Sequence, residues 1–320
     1  MMDKKRFLPG SILPRRTFVG LAVGASLVLA TTACGGSPLS TATGTAASSG
    51  GAVVVGSADF PESATIAEIY AGALTAAGVS ATTKLNIGSR EIYLKAVQDG
   101  SVDLVPDYSG NLLGYVDPAN TVTDPEGILK ALPGKLPAGL GVLDAAEAQD
   151  KDAMVVTEAT AAKYGSLKTI DDLAKVCGEI ALGAPPEFRT RPYGLPGLAA
   201  KYNCVPGTFT PIGDSGGPLT LKALLNNDVQ VADIYTTTPA IADNKLVVLA
   251  DPKNNWLAQQ VLPLVKSDKI SDTAKTALNN VSKVLTTDDL ISLNRMVSGD
   301  AKMDPKDAAA QWLKDKGITK

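Results

Sequence analysis

LKAVQDGSVDLVPDYSG, residues 94 to 110, and LKALLNNDVQVADIYTT, residues 221 to 237, align without a gap, each pair of positions 127 residues apart. In both stretches a helical pattern runs into a polar turn, Asp99-Gly100-Ser101 or Asn226-Asn227-Asp228, and a short apolar strand follows from Val102 or Val229. A tyrosine with a hydroxyl neighbour stands just beyond each strand: Tyr108-Ser109 and Tyr235-Thr236. Helix, turn and strand in this order build an α/β lobe, and open α/β sheets bind ligands at the ends of their strands. Two copies predict two similar lobes, each presenting a tyrosine to a cleft between them.

The chain before the first copy has the same grammar. Ala52 to Val55 is a β-branched run ending in Gly56-Ser57, and after Pro61 a helical pattern of Ile66, Ile69, Tyr70, Ala73, Leu74 and Ala77 closes at Gly78. A second strand is predicted from Thr82 to Ile87, a helix from the cap residue Ser89 to Gln98, and a third strand from Val102 to Val105 that stops at Pro106. The same offset sets Gly88-Ser89-Arg90-Glu91 opposite Ser215-Gly216-Gly217-Pro218. The latter belongs to GDSGGP, residues 213 to 218, the run that carries the nucleophile of chymotrypsin-like proteases. A serine nucleophile needs a base, and the chain has 0 histidines. The motif therefore reads as a helix-opening turn, capped by Asp214 or Ser215 with Pro218 in the first turn, whose N–H groups can meet an anionic group.

Length and composition bound the rest. The 320 residues are 45% hydrophobic, enough for a large core, and the net charge of -3 comes with no long basic run to meet a nucleic-acid backbone. At the N-terminus Lys4, Lys5, Arg6, Arg15 and Arg16 precede an apolar stretch from Phe18 to Ala30, and Thr31-Thr32-Ala33-Cys34 follows. This is the pattern of a signal peptide ending in a lipobox, which makes Cys34 the expected lipidation site. Thr31 stands where a lipobox usually has Leu, and Arg15-Arg16 resembles a twin-arginine signal as well as an ordinary secretory one. Residues 35 to 51 are nearly all Gly, Ser, Thr, Ala and Pro, a flexible tether that holds the body about 20–25 Å from the lipid. In an exported chain Cys177 and Cys204 are expected to pair, with two separate buried thiols as the alternative. Their spacing and the lack of histidine argue against a metal site, and no cofactor is expected.

Five segments in order resemble the substrate-binding proteins of ProX/OpuC-type ABC importers, which take up glycine betaine, carnitine and choline. They are Gly56-Ser57 with Phe60 and Glu62, Gly88 to Glu91, Asp103 to Asn111, Arg191 to Leu198, and Val231 to Tyr235. The resemblance covers nearly all of residues 52 to 320 and implies an α/β, two-lobed periplasmic-binding-protein fold of type II with a ligand cleft between the lobes. It divides the chain into a signal with its cysteine (1–34), a tether (35–51), a first lobe (52–150 with 258–320) and a second lobe (151–257), with helical stretches at 285–296 and 308–316 completing the first. Residues near 149–157 cross to the second lobe and 258–265 return.

By motif position the resemblance implies cage tyrosines at Tyr108 and Tyr235, a carboxylate-binding Arg191 and a polar specificity residue at Asn111. Asp59 and Ser215 join them as candidate ligand contacts. Ala58 and Ala153 depart from the family pattern, and Gln259 stands in the place of a further cage tyrosine, so the cage lacks about two walls; Trp256 is the candidate to restore one. A quaternary ammonium has no N–H to donate, so aromatic faces hold it, at about 0.5–2 kcal/mol per contact. The implied protein is a monomeric importer receptor rather than an enzyme, lipid-anchored on the extracytoplasmic face, which passes its solute to a membrane permease. The same fold serving another polar or polyphenolic solute is the alternative, and a secreted hydrolase using Ser215 the remote one.

Overall fold

The structure, a computed structural model, describes residues 51–298 and 302–320, so the signal sequence and Cys34 lie outside the described residues. The strands, in chain order, are β1 Val53–Gly56, β2 Ala81–Lys84, β3 Leu104–Tyr108, β4 Leu140–Val142, β5 Met154–Val156, β6 Ala181–Ala184, β7 Thr208–Pro211, β8 Val231–Asp233, β9 Val247–Val248 and β10 Val261–Lys266. They form two five-stranded sheets, ordered β2-β1-β3-β10-β4 and β7-β6-β8-β5-β9. In each, the first three strands are mutually parallel and the last two run antiparallel to their neighbours.

The internal repeat of the sequence is therefore a repeat of topology. Val55 pairs with Leu104 in the first sheet and Leu182 with Val231 in the second, again 127 residues apart. At the outer strands the two lobes differ by one residue, because Val55 pairs with Thr83 whereas Leu182 pairs with Phe209.

Two local expectations are corrected. The third strand does not stop at Pro106 but runs to Tyr108, with Pro106 directly opposite Pro263 of β10. The Ser109 N–H donates to Gln260 O, which leaves the two prolines facing each other as a non-hydrogen-bonded pair of the antiparallel ladder. No ladder hydrogen bond between these strands is lost there. Ser89 does begin the helix Arg90–Asp99, but its hydroxyl donates to Glu91 Oε2 at 2.6 Å instead of capping the backbone. That helix ends as expected at Gly100, whose φ of 79° is open to glycine at little cost.

The helix Pro61–Ala76 is buried around most of its circumference, including Ile66, Ile69, Tyr70 and Leu74. An apolar helix of this kind needs cover on all sides. The first sheet covers one side, and the helices Asp272–Ser282, Thr287–Ser298 and Pro305–Asp315 cover the other through Leu278, Leu293, Trp312 and Leu313. The C-terminal stretch thus joins the first body, packed against this helix. The second sheet has its own core of Met154, Leu182, Phe188, Leu198 and Trp256. Cys177 and Cys204 are joined by a disulfide in that body, their Cα atoms 5.4 Å apart. The two connections between the bodies run side by side, Gln149 bridging to Gln260 and Asp150 N–H donating to Gln259 O at 3.2 Å.

Candidate functional site

A cavity lies between the two sheets at the ends of β3 and β8, the positions the repeat makes equivalent. Five aromatic rings line it: Phe60, Tyr93, Tyr108, Tyr193 and Tyr235. Phe60 stands between the two repeat-related tyrosines, its ring centroid 6.1 Å from that of Tyr108 and 5.4 Å from that of Tyr235. Tyr193 is buried, and its hydroxyl has no hydrogen-bond partner among the described residues.

Tyr108 is fixed from both ends. Its N–H donates to Asp107 Oδ1 at 2.7 Å, and its hydroxyl donates to Glu62 Oε1 at 2.6 Å. Asp107 in turn receives the Arg90 guanidinium through Nη2 at 2.7 Å and Nε at 3.2 Å, both side chains being buried. A buried, bidentate pair of this kind is strong in geometry and neutral in charge.

Glu62 joins the two bodies. Besides Tyr108 from the first, it accepts from Thr237 Oγ1 of the second and from Asn294 Nδ2, each at 2.6 Å. Burial raises its pKa, against the lowering effect of these hydrogen bonds. Asp150, also buried, accepts the Thr237 N–H at 3.0 Å, and burial together with the neighbouring Glu62 charge holds its pKa well above the carboxylate range. Deeper in the second body Asp233 is raised in the same way, by burial and then by Asp152.

Of the residues singled out in the sequence, Asp59, Tyr108, Asn111, Arg191, Ser215 and Tyr235 all line the cavity. Asn111 donates from Nδ2 to Asp152 Oδ2 at 2.8 Å, a contact between the two bodies. Arg191 is engaged: its Nε and Nη2 each donate to Glu91 at 3.1 Å, and Nη2 also reaches Glu187 at 3.4 Å. Burial opposes ionisation of Glu91, but the guanidinium outweighs it and brings the carboxyl down to about 2.

Two candidates are corrected. Trp256 is 4% exposed and packs in the second core, away from the cavity, where apolar neighbours bury more of its ring than a wet cleft offers. Gln259 is fully buried behind Asn111, accepting its N–H at 2.9 Å and donating to its Oδ1 at 2.6 Å, so it orients the cleft residue and does not line the cleft. Phe60, Tyr93 and Tyr193 add three further rings to the cavity lining. Phe60 and Tyr193 stood inside segments already noted, but nothing in their spacing distinguished a cavity ring from a core ring.

No histidine can activate Ser215, since the chain has 0 of them. Its loop is a helix-opening turn, and the cap is Asp214, whose carboxylate accepts the Leu219 and Thr220 N–H groups at 2.6 and 3.2 Å. Among the described residues no cluster of three or more His, Cys, Asp or Glu could hold a metal ion, and no helix is long and apolar enough to cross a membrane.

The cavity combines aromatic faces with an excess of carboxyl groups. Asp59, Asp150, Asp152 and Glu187 line it against Arg90 and Arg191, and both guanidinium groups already hold carboxylates of the chain. Such a lining suits a small organic cation.

The family model described as the substrate binding domain of ABC-type glycine betaine transport systems matches residues 51–315. The glycine betaine-binding protein YehZ of Escherichia coli is 27% identical over 283 residues, covering 84% of this chain and 92% of the relative. Its apo structure superposes with a TM-score of 0.58 at 25% identity, covering 84% of this chain and 99% of that one. A solved glycine betaine/carnitine/choline ABC transporter protein gives a TM-score of 0.66 at 24% identity, covering 83% and 99% of the two chains.

Proposed function

The chain belongs to the family of substrate-binding domains of ABC-type glycine betaine transport systems, and on that premise we propose that its interlobe cavity binds a quaternary-ammonium solute of the glycine betaine, choline and carnitine class for delivery to an ABC permease. The observation that carries this reading is the aromatic cluster of Tyr108, Phe60 and Tyr235. It brings rings from equivalent strand ends of two lobes to one point, so a cation touching both tyrosines favours lobe closure. In this assignment residues 52–150 with 258–320 form one jaw and 151–257 the other. Asn111, Asp59 and Ser215 contact the solute at the cavity wall.

The engagement of Arg191 with Glu91 supports a cation over a zwitterion, because a ligand carboxylate has to displace Glu91 to reach the guanidinium. Thermal-shift screening of the full chain against choline, glycine betaine and carnitine tests the assignment. Stabilisation by choline is expected, and a flat response to all three contradicts it.

Lipid anchoring at Cys34, extracytoplasmic placement and a monomeric state complete the proposal. The anchor and the placement are supported by the charged start, apolar core and small residues before Cys34. Cys34→Ala is expected to move the protein from the membrane to the soluble fraction of cells; retention in the membrane contradicts the anchor.

A further inference from the structure

The interlobe space has a second chamber, of about 210 Å³. It adjoins the aromatic cavity, since Phe60, Asp150, Ser215 and Tyr235 line both. Its walls are otherwise largely apolar, from Pro61, Gly217, Pro218, Leu221, Pro239 and Ala240. Arg295 closes one side by pairing with Asp243 across the lobes, Nη1 and Nη2 each 2.9 Å from a carboxylate oxygen.

The GDSGGP motif builds one wall of this chamber. Ser215 and Gly216 take φ values of 53° and 77°, and a Cβ on Gly216 would stand 3.0 Å from Asp233 O. A side chain at that position is strained by the positive φ and crowds β8, so glycine lets the loop lie close against it. Gly217 then adds no side chain to the space. A sequence that resembles a nucleophile motif is accounted for by the room it leaves.

One polar atom of a side chain that lines the chamber has no partner. Asn294 is 7% exposed and donates from Nδ2 to Glu62 and Thr237, while its Oδ1 accepts no hydrogen bond among the described residues. A buried acceptor left in this state is unfavourable unless something donates to it. A cavity of about 150 Å³ with apolar walls is large enough to bind benzene, so this chamber takes a group of at least phenyl size.

We propose that the chamber is a subsite for an apolar, phenyl-sized substituent of the ammonium ligand, bearing a hydroxyl or amide N–H donor for Asn294 Oδ1. The ammonium head occupies the aromatic cavity and the substituent passes beside Phe60. This rests on the ammonium reading of the previous subsection and extends it from small osmolytes to larger substituted ammonium compounds.

The test is calorimetric titration of the full chain with choline, with its analogue in which one N-methyl is replaced by benzyl, and with the 3- and 4-hydroxybenzyl analogues. Burial of the ring is expected to make the benzyl analogue at least about tenfold tighter than choline, and at least one hydroxybenzyl analogue tighter again. Leu221→Trp, which fills the chamber, is expected to abolish this advantage while leaving choline binding unchanged, which also shows that the variant is folded. Choline binding without any gain from the benzyl group overturns the subsite, as does a gain that survives Leu221→Trp. Benzyl alcohol binding alongside saturating choline shows an independent site and overturns the single-ligand proposal. Failure of choline and all the analogues to bind overturns the ammonium reading itself.

Discussion

Arg191 and Glu91 face each other across the cleft, the guanidinium Nε and Nη2 each 3.1 Å from a carboxylate oxygen of a residue 100 positions away. Arg191 belongs to the second lobe and Glu91 to the first, so the pair is a latch between lobes as well as an electrostatic shield for the cavity. The guanidinium holds Glu91 at about 2, so the latch stays ionised across the physiological range.

Removing the Glu91 charge frees Arg191 for a ligand carboxylate. In Glu91→Gln, glycine betaine is expected to bind about three- to tenfold more tightly, the order of a gained charge-assisted contact, while choline binding does not improve. Titration of parent and variant with both solutes measures this. Unchanged or weaker glycine betaine binding contradicts the shield.

A second lobe-to-lobe element responds to pH. Glu62 and Asp150 have pKa values raised mainly by burial, so the native protein holds protons that the unfolded chain releases. Their contribution to stability is fully present below the unfolded carboxylate pKa of about 4 and is lost as pH rises through the raised native values. Asp233 acts in the same sense from within the second lobe. Asp150→Asn keeps an acceptor for Thr237 and removes one titrating group. Between pH 5 and 8 its unfolding midpoint is expected to fall less than that of the parent. Parallel curves contradict a raised pKa at Asp150.

The Cys177–Cys204 disulfide closes a loop of 27 residues in the second lobe. In the chain-entropy account its loss in Cys177→Ala/Cys204→Ala lowers stability by about 3.5 kcal/mol. Denaturant unfolding of parent and double variant measures the difference; equal midpoints show that the loop is constrained without it.

The sequence made some of this legible and hid the rest for identifiable reasons. The constant offset between residues 94–110 and 221–237 carried over to the sheets because strand pairing depends on register, and β3 and β8 pair with β1 and β6 at that same offset. Proline read as a strand terminator failed at Pro106, since the effect of a missing N–H depends on the partner strand, and here the partner presents Pro263. Trp256 looked like a cage wall because an aromatic near a motif carries no mark of which face it turns. The lobe-bridging role of Glu62 was hidden because its partners, Tyr108, Thr237 and Asn294, lie 46, 175 and 232 residues away.

Calorimetric titration of choline into the parent chain, Tyr108→Ala and Tyr235→Ala tests directly whether the cation is held between the two lobes. Each variant removes one ring from one lobe. Tyr108→Ala also takes a donor from Glu62, so its unfolding midpoint is measured alongside, and Tyr235→Ala, whose side chain has no such bond among those described, carries the comparison. Losing one aromatic face is expected to cost about 1–2 kcal/mol, a loss of roughly tenfold in affinity. If choline binds both variants as tightly as the parent, the cation is not held between these rings and the interlobe cage is contradicted.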